Sequence, residues 1–161
     1  MEAVLVSGIA YDKDQARVTM RDLPDVPGMA AAVFGPLSEK GILVDMIVQN
    51  TSLDGHTDIT FTISRKDLQQ TLAVMKEVAE KTGASEVMHD VSVAKVSAIG
   101  VGMRNHSGVA ARTFAALTQE GINILMISTS EIKITILIQE KYVELAVRIL
   151  HDTFGLDWDI G

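Results

Sequence analysis

Two stretches of this chain share one pattern: Gly28–Ile47 reads GMAAAVFGPLSEKGILVDMI, and Gly108–Ile127 reads GVAARTFAALTQEGINILMI. The identical residues align at a spacing of 80 positions without a gap, and they include the opening glycine, a phenylalanine and a later Gly-Ile pair. Self-similarity at one fixed spacing is the signature of a repeated structural unit. The chain is therefore predicted to contain two copies of one fold.

Each copy alternates segments with strand and helix periodicity. In the first copy, Met29, Val33 and Leu37 recur at helical spacing, and Gly41 is the stop expected just after a helix. Pro36 is expected to bend or shorten this helix, because it has no amide hydrogen to donate to the carbonyl four residues earlier.

The remaining elements are also predicted from residue periodicity and from the residues at helix ends. Ile59, Phe61 and Ile63 alternate with polar residues, and this period of two indicates a sheet with one covered face. Ser64 and Asp67 are predicted to cap the next helix. The predicted elements of the first copy are Ala16–Arg21, Gly28–Lys40, Ile42–Gln49, Asp58–Ser64, a helix that carries Leu68, Leu72, Met75 and Ala79 and ends at Gly83, and Glu86–Val91. Those of the second copy are Val93–Gly102, Ser107–Glu120, Ile122–Ile127, Glu131–Ile138 and Lys141–Phe154.

Both copies follow the order βαββαβ, the ferredoxin-like plan, which is an α+β fold of antiparallel sheets with helices on one face. The second copy has no convincing final strand, whereas the N-terminal segment Val4–Ala10 is strand-like and has no partner in the first. We expect that segment to complete the second sheet, so that the first unit is inserted into the second. The predicted domains are residues 15–91, and residues 1–14 together with 92–161.

Composition excludes several classes of function. The net charge of −7 argues against a nucleic-acid surface, which needs a basic patch. The chain has no cysteine, which excludes disulfides, thiolate metal sites and cysteine nucleophiles and fits a cytoplasmic location. No apolar stretch approaches the roughly 18–20 residues that span a bilayer, and the N-terminus does not resemble a signal peptide.

The loops before the first helix of each copy are the richest in polar residues. They are Leu23–Gly28 and Met103–Gly108. Unpaired amide groups at a helix N-terminus can hold a carboxylate, and a glycine there leaves room for its approach. Asp25 and Asp45 are expected to converge near one pocket, where paired acids suit an ammonium group as readily as acid–base chemistry. The alternative is that Asp25 and Asn105 are ordinary turn or cap residues.

The sequence gives little support for dinucleotide binding, metal binding or catalysis. Gly100-x-Gly102 follows a strand, but Asn105 stands where a dinucleotide fingerprint needs its third glycine. The four histidines are scattered without ligand spacing, so no metal site is predicted. No serine elbow or catalytic carboxylate pair stands out, and no cofactor is expected.

Two motifs carry a resemblance to a known family. Pro24–Gly28 (PDVPG) before a helix, followed by Gly41–Asn50 (GILVDMIVQN), resembles the first ACT repeat of the aspartate kinases. Asn123–Ile134 (NILMISTSEIKI) is similar to the second repeat, for which the Ser-Thr-Ser-Glu-Ile run is characteristic. The resemblance covers nearly the whole chain and is closest to the separate β subunit or the regulatory half of these enzymes.

The resemblance implies a regulatory module that senses lysine, threonine or both, for feedback inhibition of aspartate phosphorylation. It implies a homodimer through ACT–ACT contacts, a catalytic aspartate kinase subunit or domain as partner, and no catalytic residues in this chain. Amides near Gly28–Ala30 would take the effector's carboxylate, Asp25 or Gln49 its α-ammonium or hydroxyl, and Asp45 the ε-ammonium of lysine. The effector-binding positions that it implies are Asp25, Val26, Pro27, Gly28, Met29, Ala30, Leu43, Val44, Asp45, Gln49, Val109, Ala110, Asn123, Ile124, Ser130 and Glu131.

Three alternatives stay open. One is an ACT-type small subunit of another biosynthetic enzyme, such as acetolactate synthase, although the repeated pattern and Ser128–Ile134 argue against it. Another is a small ferredoxin-like enzyme acting on acyl phosphates, for which Arg104 is the only candidate phosphate ligand. The third is an assembly module whose loops bind nothing.

Overall fold

The computed structural model describes residues 6–101 and 107–156, with the side chains of the second stretch described from Gly108 onward. The chain divides into two compact units. The first unit is Asp14–Val91, and the second consists of the described parts of Met1–Lys13 and Ser92–Gly161. The first unit thus lies, in sequence, between the two segments of the second.

The first unit has the element order βαββαβ. Its strands follow the spatial order β2-β3-β1-β4, and β3 pairs antiparallel with both β1 and β2. Its elements are β1 (Val6–Pro24, from Asp14 onward), α1 (Met29–Glu39), β2 (Ile47–Thr51), β3 (His56–Ile63), α2 (Leu68–Thr82, preceded by a 3-10 turn at Arg65–Asp67) and β4 (Glu86–Gly100, up to Val91).

The second unit repeats this plan with the other ends of β1 and β4. Its spatial order is β1-β4-β6-β5, and β6 pairs antiparallel with β4 and β5. The added elements are α3 (Ser107–Gln119), β5 (Met126–Thr129), β6 (Lys133–Gln139) and α4 (Val143–Thr153, after a 3-10 turn at Glu140–Tyr142). The α+β, ferredoxin-like fold with helices on one face of each sheet is therefore confirmed.

Each unit buries its own apolar core between sheet and helices. In the first unit, the rings of Phe34 on α1 and Phe61 on β3 meet edge to face, with centroids 5.4 Å apart. The buried core there is Ala16, Val18, Met20, Leu23, Val33, Leu37, Ile42, Ile59, Phe61, Ile63, Leu68, Val74, Met75 and Val78. The main core of the second unit is Ala94, Val96, Leu117, Ile122, Ile136, Ile138, Val143, Ala146 and Leu150.

Two pairs of predicted strands are each one long strand. The predicted Ala16–Arg21 segment and the described part of the predicted Val4–Ala10 segment belong to β1, whereas Val4 and Leu5 lie outside the described residues. Likewise, the predicted Glu86–Val91 and Val93–Gly102 strands belong to β4, which ends at Gly100; Val101 is not in the strand, and Gly102 lies outside the described residues. The prediction of separate strands was wrong because the polar residues at each junction do not interrupt the extended backbone.

The second strand of each unit begins later than predicted, at Ile47 and Met126. The physical reason is the helix ending that precedes it. Gly41 and Gly121 both have φ of 71°, and the following residue donates its amide back to Leu37 or Leu117 at 3.0 Å. This Schellman-type ending uses the residues that the apolar pattern alone assigned to a strand.

Two further expectations need correction. The Ser64 hydroxyl does not cap the helix but donates to the Asp14 carboxylate at 2.6 Å, and Asp67 makes no side-chain cap on α2. In the second unit, β6 begins at Lys133, two residues later than the predicted Glu131, and Ile132 before it is exposed. Pro36 lies inside α1, which ends three residues later, at Glu39.

Candidate effector site

The loop between β1 and α1 is held at both ends. The Asp25 amide donates to the carbonyl of Gly55 in the β2–β3 hairpin at 3.0 Å. Gly28 has φ of 92°, a conformation that favours glycine, and a Cβ there would meet no atom of the chain within 4 Å. The requirement for glycine is therefore conformational, and the space in front of it is open.

The N-terminus of α1 is not capped by a side chain of the described residues. The Ala32 amide donates to the Gly28 carbonyl at 3.0 Å and begins the helical hydrogen-bond ladder. The amides of Ala30 and Ala31 precede that point, where an α-helix has no internal acceptors for its amides. Aligned peptide dipoles add a partial positive charge there, so this end of α1 is suited to a carboxylate.

Gln49 lies at the same edge of the sheet as Asp25. Both β1 and β2 are antiparallel to β3, so they run parallel to each other and their C-terminal ends meet one edge. Gln49 is paired with Ile59, which is paired with Met20. Cross-strand partners point to the same face, and the other two residues of this row are buried on the helix-covered face. The Gln49 side chain therefore lies on the helix-covered face, at the edge of the sheet where the C-terminal ends of β1 and β2 meet.

The segment before β2 presents alternate residues to solvent. Leu43 is 84% exposed, whereas Val44 packs against the core with Met29. Asp45 is exposed, and its amide donates to the Thr62 carbonyl at 3.0 Å. Val26, Pro27 and Ala30 are also exposed. The first unit thus exposes eight of its ten predicted effector positions and partly buries the side chains of Met29 and Val44.

The second unit differs in detail. Val109 is buried in an apolar cluster, and Ala110 packs against that cluster. Asn123 and Glu131 are exposed, while Ile124 packs against the main core of the unit. The Ser130 hydroxyl accepts the Lys133 amide at 3.2 Å within the β5–β6 turn. Asn105 and Arg104 lie outside the described residues.

Three candidate pocket residues were missed by the sequence prediction. Ile47 on β2 and Ile127 on β5 occupy equivalent positions in the two units, paired with Phe61 and Ile136, and both are about half exposed. Thr129 holds the position on β5 that Gln49 holds on β2. The repeat itself contained the signal, because Met-Ile occurs at residues 46–47 and again at 126–127.

The hairpin beside Asp25 has an ordered tip. The Ser52 hydroxyl contacts the Asp54 carboxylate, which also accepts the His56 amide at 3.2 Å. These hydrogen bonds hold the pKa of Asp54 below its ordinary value. Since Gly55 at this tip is the acceptor for the Asp25 amide, the tip is a fixed support for the loop.

Other features of the described residues lie away from this site. A groove of about 390 Å³ between α1 and α2 has none of the predicted effector residues in its lining, which includes Pro36, Glu39, Val74 and Lys81. Within residues 6–101 and 107–156, no three acidic or histidine side chains gather to hold a metal ion. Among the same residues, no helix is long and apolar enough to cross a membrane.

Comparison with known proteins gives the class of this chain. The family model of the ACT domain matches residues 21–78 and 96–154. Aspartate kinase Ask_LysC of Stutzerimonas stutzeri is 52% identical over the whole chain, which spans 39% of that relative's length.

Solved structures agree with this class. A chain in a crystal structure of aspartokinase α and β subunits is 52% identical, with a TM-score of 0.89 over 96% of this chain and 100% of that one. The ligand-free regulatory subunit of aspartate kinase from Thermus thermophilus is 38% identical, with a TM-score of 0.89 over 95% and 99%. E. coli aspartokinase III in complex with lysine and aspartate is 25% identical, with a TM-score of 0.72 over 96% and 34%. The chain therefore belongs to the ACT-domain family, as a regulatory ACT pair of the aspartate kinases.

Proposed function

We propose that this chain senses lysine, threonine or both and conveys feedback inhibition to aspartate phosphorylation. The observation that carries the proposal is the uncapped N-terminus of α1, which follows β1 closely in sequence, together with Asp25 and Gln49 at one edge of the sheet. The related E. coli aspartokinase III has been solved in complex with lysine and aspartate, which supports an amino acid as ligand.

Because the Met29 amide donates to the Val26 carbonyl at 3.4 Å, the carboxylate of the effector would bind the amides of Ala30 and Ala31. Its α-ammonium or hydroxyl group would meet Asp25 or the amide oxygen of Gln49, both of which are exposed. A carboxylate at Asp45 suits the ε-ammonium of lysine, because a charge-assisted hydrogen bond is stronger than a neutral one. Threonine has no such group and would depend on the helix N-terminus, Asp25 and Gln49.

A second copy of the chain would close the site. In one chain, Val26 is 52%, Leu43 84% and Ile47 54% exposed, although their side chains are apolar. Contact between equivalent ACT units of two chains would bury these side chains and enclose the effector. A ligand that binds the assembled state more tightly than the separate chains stabilises that state, and this difference in affinity is how it regulates.

The kinase chemistry would reside outside this chain. One structural neighbour contains aspartokinase α and β subunits, and the chain spans 39% of the length of Ask_LysC. We assign this chain the regulatory role, without catalytic residues, and assign phosphoryl transfer to a catalytic aspartate kinase subunit or domain that it contacts.

Titration calorimetry with lysine and with threonine tests the proposal. Wild-type protein is expected to bind at least one of them, and Asp25→Ala and Gln49→Ala should each weaken binding about tenfold or more, as expected for loss of a hydrogen bond to a charged group. Asp152→Ala on α4 and Gln70→Ala on α2 are matched controls at exposed positions away from the site. Absence of binding by wild-type protein, or unchanged affinity in both site variants, would refute it.

A further inference from the structure

Strand β1 contains a bulge just before the candidate effector loop. Met20 is paired with Ile59 and Leu23 with Thr57, so Arg21 and Asp22 together lie opposite Asp58 alone. Asp22 has φ of 59°, which makes it the one residue other than glycine with positive φ in the described part of the chain. We propose that Asp22 is a positioning residue of the effector site, an inference that rests on the function proposed above.

The bulge changes which side chains face the core. Before it, alternate residues Val18 and Met20 are buried, and an uninterrupted strand would bury Asp22 next. The extra residue shifts this alternation by one position, so Leu23 is fully buried and Asp22 is exposed. The bulge thus anchors the loop by an apolar side chain two residues before Asp25.

Two neighbouring segments hold Asp22 in its conformation. Its amide donates to the Asp58 carboxylate at 2.9 Å, and its own carboxylate accepts the Ser85 hydroxyl at 2.5 Å. The Ser85 amide donates to the Arg21 carbonyl at 3.0 Å. Aspartate tolerates a left-handed backbone better than most residues, and these contacts select that conformation.

The consequence for binding is preorganisation. The loop is anchored at Leu23 by burial, and at Asp25 by its hydrogen bond to Gly55. The bulge immediately precedes these two anchors and sets the direction in which the backbone enters the loop, so Asp25 and the start of α1 approach the ligand already ordered. A loop that must be ordered on binding loses conformational entropy at that moment and binds more weakly.

The test compares variants that separate backbone conformation from side-chain contacts. Asp22→Gly keeps the left-handed conformation accessible but removes the contact with Ser85, whereas Ser85→Ala removes the same contact from the other side. Asp22→Asn retains a side-chain oxygen and tolerance of positive φ and should behave like wild type. Arg21→Ala, next in sequence, removes only an exposed ion pair to Glu86 at 3.6 Å and is the matched control.

We expect Asp22→Gly and Ser85→Ala to weaken calorimetric affinity for lysine or threonine by about three- to tenfold, the scale of partial loss of preorganisation. Hydrogen exchange in residues 23–30 should be faster in both variants without ligand, and unchanged in Asp22→Asn and Arg21→Ala. A merely structural role would lower the melting temperature but leave affinity and local exchange unchanged, and that result would overturn the proposal.

The exchange measurement needs no ligand, which keeps the two proposals distinguishable. If wild-type protein binds neither amino acid, the proposed function fails, and exchange in residues 23–30 still decides whether Asp22 orders the loop. If wild-type protein binds and the Asp22→Gly and Ser85→Ala variants match it in affinity and exchange, the positioning role alone fails.

Discussion

The Asp14 carboxylate accepts a hydrogen bond from the Ser64 hydroxyl at 2.6 Å, across 50 positions of sequence. Its other oxygen accepts the Arg65 amide at 3.0 Å, at the start of the turn that leads into α2. These two hydrogen bonds hold the pKa of Asp14 below its ordinary value, and the bond from Ser64 has the larger effect. A residue of β1 thereby provides the cap that the local sequence was expected to provide.

Asp14→Ala should lower the free energy of unfolding by about 1 kcal/mol at neutral pH, the usual cost of losing a helix cap. Because the folded pKa of Asp14 lies below the unfolded value of about 4, its contribution is complete above that value and is lost as pH falls through the folded pKa. Urea unfolding from about pH 7 to 3 checks this, with Asp152→Ala as control. A loss that does not change with pH would contradict it.

The two repeat-related leucines, Leu37 and Leu117, are both fully buried, each in its own core. Truncation to alanine should cost about 2–5 kcal/mol at either position, because it removes apolar contacts and leaves a cavity. Leu53→Ala is the control, since Leu53 is 109% exposed in the hairpin and should change stability by about 0.5 kcal/mol or less. Equal denaturation midpoints for the three variants would show that these cores are wrongly assigned.

Pro36 occupies the interior of α1, where it cannot donate a hydrogen bond to the Ala32 carbonyl. Pro36→Ala should raise the free energy of unfolding by about 1–2 kcal/mol, because the recovered bond outweighs the extra freedom of the unfolded chain. Thermal unfolding measures this, and Ser38→Ala on the same helix should gain no more than about 0.5 kcal/mol. A lower melting temperature for Pro36→Ala would disprove the reasoning.

Asp45→Asn should separate the two candidate effectors. If Asp45 pairs with the ε-ammonium of lysine, removing its charge should weaken lysine binding about tenfold or more and leave threonine binding within about twofold. Calorimetry with both amino acids, beside Glu77→Gln on α2 as a control, makes the comparison. An equal loss of affinity for lysine and threonine would contradict a role of Asp45 in selecting lysine and would indicate that it supports the loop instead.

Much of the fold could be predicted because apolar periodicity is local. The spacing of Val33 and Leu37 predicted α1, and alternation at Ile59, Phe61 and Ile63 predicted β3, and all of these side chains are buried as expected. Strand boundaries were less accurate. At Ile42 and Ile122 the apolar residue that follows the helix packs into a core, but its amide belongs to the helix ending and not to a strand.

The candidate site, like the fold, could be predicted from the sequence only in part. The resemblance to the aspartate kinases predicted that Asp25, Gly28 and Gln49 belong to one binding site. The antiparallel pairing of β3 with β1 and β2 brings Asp25 and Gln49 to one edge of the sheet. Ile47 was not singled out, because its exposure follows from the position of β2 at the edge of the sheet.

The sequence by itself determined the repeat, through its constant spacing of 80 positions, and it determined most helices, strands and core positions, because apolar periodicity depends on neighbours within a few positions. Only the tertiary structure decided the bulge at Asp22, the continuity of β1 and β4, and the cap that Asp14 places on a distant turn. These features depend on hydrogen bonds between segments far apart in the chain, and local periodicity carries no information about which distant partners meet.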